Sequence, residues 1–149
     1  MTNKAFNSTL EIAMRLLLLL CASEDSLSID DLAITDFVTV YASDFGLTSY
    51  NLHGLNRSKE SEFAARRQQI KEAIRFLVKE NYAGVEESSE GFLFYITVAG
   101  EKLCEAFGSD YAADYTAAAL KAIQYVQETG PDTLLDRINR KALHFRKET

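Results

Sequence analysis

The stretch MRLLLLLCAS, Met14–Ser23, puts five leucines in a row, Leu16 to Leu20. Neighbours on a helix lie about 100° apart, so five consecutive leucines point in every direction around it. A helix apolar on all sides has to be covered on all sides. The uncharged part runs only from Leu16 to Ser23, with Arg15 and Glu11 ahead of it. A bilayer span needs roughly 20 apolar residues, so this is no span. A signal peptide opens on a basic segment, whereas here Glu11 precedes the run. Ser8-Thr9-Leu10-Glu11 is instead a capping pattern that starts a helix. Two coverings are open. The helix is central to its own domain, or a second chain covers one side and Leu16, Leu17 and Leu20 belong to a partner-binding surface.

The rest of the composition bounds the answer. The chain has 149 residues, 47% hydrophobic and 26% charged, with a formal net charge of −6. That suits one soluble domain, a body over 1–107 with a helical extension over 108–149. The pI of about 4.9 argues against a surface given over to nucleic acid. Two cysteines, Cys21 and Cys104, lie far apart in apolar, helix-like stretches and read as buried thiols of a reducing, cytoplasmic compartment.

Outward from the leucines, Ser28 and Asp31 cap a second helix whose apolar face includes Ile29, Ala33, Phe37 and Val40. From Ser23 to Gly54 there are six acids and no Lys or Arg, a segment that would repel DNA phosphates. Gly46 to Asn56 reads as a loop carrying His53, with no ligand-spaced partner for a metal. A long helix is expected from about Ser58 to Tyr82. Phe63, Ile70, Ile74, Leu77 and Val78 would form its core face. Arg66 and Arg67, then Lys71, Arg75 and Lys79, would form a basic stripe. The bland reading of that stripe is a solvated face.

A hairpin follows, with its turn at Ser88–Gly91 and apolar residues on both faces of its second strand. GFLFYITVAGEKL, Gly91–Leu103, resembles the second wing strand and next helix of winged-helix domains, with Thr97 as the cap and Gly100 allowing close packing. Ala112, Tyr115, Ala119, Ala122 and Val126 form a small-residue seam on the next helix. Gly130-Pro131 separates it from a last helix. Arg137, Arg140, Lys141, Arg146 and Lys147 make that helix basic and a candidate DNA contact. The fold class is therefore mostly α, a winged-helix-like domain with a two-stranded hairpin and extra C-terminal helices.

Catalytic patterns are missing. There is no G-x-x-x-x-G-K-[ST], G-x-G-x-x-G, H-E-x-x-H, C-x-x-C or G-x-S-x-G, and His53 and His144 are far apart. The expectation is a protein that is not an enzyme and holds no cofactor or metal.

Taken in order, several short blocks resemble the second class of middle components of bacterial ABC-three-component systems. They are Asn7, Ser8, Leu10, Glu11, Arg15, Leu16 and Leu17; then Asp36, Tyr41, Ser43, Asp44 and Gly46; then Leu52 and His53, without the family's usual prolines. Arg57, Glu62, Arg66 and Arg67 match its arginine-bearing helix, and GFLFYITVAGEKL and GSDYAADY its hairpin and following helix. The resemblance implies a small non-catalytic subunit that accompanies an ATPase similar to SMC and Rad50 proteins and an effector, often a nuclease. Such systems look like defence modules against phage or plasmids, and the small subunit of the Lamassu system is similar.

The residues fit an adaptor that docks on those two subunits. Leu16, Leu17, Leu20, Arg66, Arg67, Lys71, Arg75 and Tyr115 are the candidate partner contacts. DNA would be touched, if at all, through the assembled complex, and no membrane is involved. The rival is a homodimeric winged-helix DNA-binding transcriptional regulator. Against it, the wing carries Glu86, Glu87 and Glu90 and no Lys or Arg.

Overall fold

The computed structural model describes residues 8–54 and 63–148, with their side chains apart from residue 64 and residues 141–148. Among the described residues there are six α-helices and one hairpin. Helix α1 spans Thr9–Ala22 and α2 Ile29–Val40, followed by a 3-10 turn, Ala42–Phe45. Helix α3 spans Phe63–Lys79. Strands β1 and β2 are Ala83–Ser88 and Gly91–Ile96. Helices α4, α5 and α6 span Val98–Glu105, Asp110–Thr129 and Pro131–Glu148. Mostly helical with one hairpin is the class the sequence predicts. Leu27 also exchanges both backbone hydrogen bonds with Phe94, at 2.9 and 2.8 Å, adding a one-residue third strand. Helix, short strand, helix, helix, hairpin is the order of a winged helix.

The helix starts follow the cap residues. Ser8 Oγ accepts from the Glu11 N–H at 3.2 Å, and a full reciprocal box joins Ser28 and Asp31 at α2. Thr97 Oγ1 accepts from the Gly100 N–H at 3.0 Å and itself donates to the Asn81 carbonyl. A Cβ on Gly100 would collide with the Tyr82 carbonyl, so glycine lets α4 sit directly on the hairpin base. Gly130 ends α5 with φ 95°, and Pro131 opens α6.

The leucine helix is central. Leu16, Leu17 and Leu19 are fully buried and Leu18 and Leu20 nearly so, because α1 is packed by α2, α3, α4, α5 and β2 of its own chain. Leu16, Leu17 and Leu20 therefore do not form a partner-binding surface. Helix α2 is nearly as enclosed, buried at every position from Leu32 to Val40. The alanine seam is spent the same way. Ala112, Tyr115, Ala119, Ala122 and Val126 are buried, and α5 packs on α2 and α1.

The hairpin is covered on less than both faces. Ala83, Phe94 and Ile96 pack on the core, but on the same face Val85 and Phe92 project beyond it and are 43% and 58% exposed. On the other face Tyr95 lies over Gly84, its cross-strand partner, and stays partly open. The helix packing also brings Cys104 to α1, where its thiol lies 3.5 Å from the Leu17 carbonyl. Burial, with Cys21 beside it, pushes that thiol up to about 12. Both cysteines are free, but Cys21 is exposed and Cys104 half-buried, not core thiols.

Candidate functional site

Arg15 is the only charged residue between Ile12 and Ala22, and Asp36 the only one between Leu32 and Tyr41. Each sits in a helix that is otherwise apolar at that height. A buried charge is tolerated only when it is paired and hydrogen-bonded. The structure puts these two together. Arg15 grips Asp36 with both ends of its fork, Nε to Oδ1 at 2.9 Å and Nη2 to Oδ2 at 3.0 Å. Arg66 Nη1 donates to Oδ2 at 3.1 Å from α3, and Tyr115 Oη donates to Oδ1 at 2.7 Å from α5. Each carboxylate oxygen thus accepts two hydrogen bonds, which saturates the group.

One carboxylate at the centre joins four helices. Asp36 is 0% exposed and Arg15 2%. Burial by itself would raise the carboxyl's pKa, but Arg15 and then Arg66 outweigh it and hold Asp36 well below the usual carboxylate range. Burial would likewise lower Arg15, and Asp36 outweighs it in the other direction. Tyr115 is pushed up by burial and by Asp36, so it stays a donor. With two guanidiniums on one carboxylate, the trio carries one net positive charge. Arg66 rests its guanidinium 5.9 Å from the Tyr41 ring centre, and its buried Nε has no hydrogen-bond partner.

The network continues outward. Tyr111, one turn before Tyr115, stacks on it at 6.4 Å and contacts Arg15. Its Oη lies 2.9 Å from His53 Nε2. Arg15 is a donor in every bond it makes. Tyr111 therefore accepts from Arg15, and the tautomer of His53 sets which of the Tyr111 hydroxyl and His53 Nε2 donates to the other. Burial, then the neighbouring Arg15, brings His53 down to about 3, so the ring is neutral.

That gives a pH prediction with a definite sign. In the unfolded chain His53 takes a proton near 6.5, while in the folded chain it does not until about 3. Stability is therefore full above about pH 6.5 and falls as pH drops toward 3, because the unfolded state binds more protons there. Asp36 adds a loss only below the ordinary carboxyl value of about 3.8. Urea midpoints between pH 7 and 4 should decline in the natural protein and flatten in His53→Gln, which keeps a donor and an acceptor for Tyr111. An equal decline in both would refute the assignment.

The first two residues of the expected basic stripe are paired inside the chain. Arg66 is buried against Asp36, and Arg67 reaches Asp30 at 2.6 Å. The acidic segment and the basic helix meet each other, so neither Arg66 nor Tyr115 is a surface contact for a partner. Lys71 is half-buried, and Arg75 and Lys79 are exposed. On α6, Arg137 is exposed and Arg140 pairs with Asp136 one turn away. The side chains of Lys141, Arg146 and Lys147 lie outside the described residues, as do Asn7, Arg57 and Glu62. Among the described residues no three His, Cys, Asp or Glu side chains gather as a metal site, and no helix is long and apolar enough to cross a membrane.

The buried network collects Arg15, Asp36, Tyr41, His53 and Arg66 from four separate blocks of the sequence. The family model of the ABC-three component (ABC-3C) system Middle Component 2 matches residues 5–148. The chain belongs to this family. Middle component 2 is one part of a multi-subunit system, so it works with partner proteins. Neither the curated proteins nor the solved structures contain a match to this chain. The arrangement in this middle component is a buried clamp on Asp36, with both carboxylate oxygens saturated and Arg66 Nε left over. Tyr115 reads from the sequence as a seam residue and partner contact, and Tyr111 only as part of GSDYAADY, so neither is marked there as a network member. The two solitary charges in apolar helices were the available signal.

Proposed function

We propose that this chain is the non-catalytic small adaptor subunit of a bacterial anti-phage or anti-plasmid defence complex. It docks on an SMC/Rad50-like ABC ATPase and on an effector subunit of the nuclease type, in the manner of the small subunit of Lamassu systems. The observation that carries this reading is the family match over residues 5–148. The physics of the molecule supports it. The only concentrated chemistry among the described residues is locked in the core, where it fixes four helices against each other. What faces outward includes isolated apolar side chains, such as Leu10, Val85, Phe92 and Val98, on an acidic protein. Singly such side chains are ordinary, but Leu10 and Met14, both exposed and one turn apart on α1, make an apolar edge suited to protein contact.

The regulator reading is less favoured. In a winged helix, α3 would face DNA, yet Arg66 and Arg67 are engaged with Asp36 and Asp30. The wing presents Glu86, Glu87 and Glu90, all exposed. The test is co-expression of this chain, affinity-tagged, with the ATPase and effector encoded beside it. A complex of fixed stoichiometry that survives gel filtration is expected, and the lone chain should give no salt-sensitive shift of DNA. A chain that purifies alone while both neighbours are soluble, or that shifts DNA tightly by itself, would overturn the adaptor reading.

A further inference from the structure

Helix α1 has one outward edge. Leu10, Met14, Leu18 and Cys21 succeed each other at spacings of four, four and three. Leu10 is 59% and Met14 39% exposed, large apolar side chains on a helix otherwise sunk in the core. Beside this edge, the connection from α4 to α5 stands off and leaves a groove of about 380 Å³. Met14, Leu18 and Phe107 form its apolar walls, with Ala106 and Ala112 widening it and Arg15 and Tyr111 at its base. Both of these residues are held in the buried network. A slot already shaped before binding loses little freedom on filling.

Among the described residues, acids flank the groove, with Lys102 one turn back from Ala106. Glu11 is part of the wall. Glu105 and Asp110 are exposed and adjoin the lining residues Ala106, Ser109 and Tyr111. Among the described residues the only basic one in the lining is Arg15, whose fork is committed to Asp36. An apolar trough with an acidic rim selects an apolar ridge flanked by positive charge. An amphipathic helix supplies such a ridge, with anchors at intervals of three and four.

We propose that this groove is the docking slot for a helix of a partner subunit, one that presents bulky apolar anchors among Lys and Arg. The inference rests on the subunit reading above and names the face it uses. Met14 and Leu10 flank the anchors, Phe107 and Leu18 receive them, and Glu11, Glu105 and Asp110 set the helix's orientation.

The test uses the full chain co-expressed with the ATPase and effector of its own system. Met14→Glu places an acid on the exposed wall, and Glu105→Lys/Asp110→Lys reverses the rim. Each is expected to lower the recovered complex at least tenfold while leaving the thermal melting curve of the isolated chain in place. Leu120→Glu, at a 55% exposed position of α5 outside the groove, should leave recovery unchanged. If the natural chain forms the complex and both groove variants form it equally well, the slot is wrong and the adaptor reading stands. If the natural chain forms no complex, the adaptor reading fails and the slot falls with it. A natural chain that is a homodimer, turned monomeric by Met14→Glu, would assign the groove to a second copy and overturn the proposal. If Met14→Glu alters folding, the rim variant at two exposed positions decides.

Discussion

Asp36→Asn is expected to destabilise the isolated chain by about 3–5 kcal/mol, the cost of leaving buried charge without its counter-ion. The substitution keeps the shape of the side chain and removes only its charge. Two guanidiniums, Arg15 and Arg66, would then face a neutral amide whose nitrogen is itself a donor. Nothing else in the trio can balance them, because its net charge is already positive with Asp36 ionised. Water cannot step in cheaply, since Asp36 is 0% and Arg15 2% exposed. A domain of this kind has a total stability of about 5–15 kcal/mol, so the variant stands near the threshold of folding. Urea denaturation followed by circular dichroism measures it. A loss below about 1 kcal/mol, the range of an exposed ion pair, would mean that the cluster is hydrated in solution.

Leu17→Ala is expected to cost about 2–5 kcal/mol, the range for a buried leucine cut back to its Cβ. Leu17 is 0% exposed, and α1 is enclosed by helices on several sides, so the gap left behind has little freedom to collapse. Leu10→Ala, on the same helix at 59% exposure, should change stability by no more than about 0.5 kcal/mol in either direction. The pair separates the two coverings of the leucine helix. Were the run a surface for another chain, Leu17→Ala would leave the isolated protein unaffected and weaken only its complexes. The same urea titration, on the chain alone, distinguishes them.

Both predictions bear on why a small acidic protein carries so costly an arrangement at its centre. Replacing a buried ion cluster by apolar residues is often neutral or stabilising, so the cluster is weak evidence for stability as such. Its geometry does something else. The four bonds to one carboxylate can all form only when α1, α2, α3 and α5 hold one mutual arrangement, and Tyr111 ties the His53 loop to the same point. Leucine and alanine contacts tolerate sliding, whereas these bonds do not. A subunit whose faces must meet other proteins benefits from such a fixed frame.

The sequence by itself determined the elements. Serine and threonine caps, Gly130-Pro131, the two-residue hairpin turn and the spacing of apolar residues are local signals, and local geometry carries them out. It also determined that the five leucines had to be hidden, because no helix can turn five successive residues the same way. The tertiary structure alone decided what hides them and where the charges go. Pairing Arg15 with Asp36, and Arg66 and Arg67 with Asp36 and Asp30, spans 21 to 37 residues of chain. No periodicity within one helix records which distant helix will lie across it. So the head of the basic stripe and the acidic segment, each legible as a surface, meet: Arg66 is buried on Asp36 and Arg67 pairs with Asp30 nearer solvent, while Arg75 and Lys79 stay exposed.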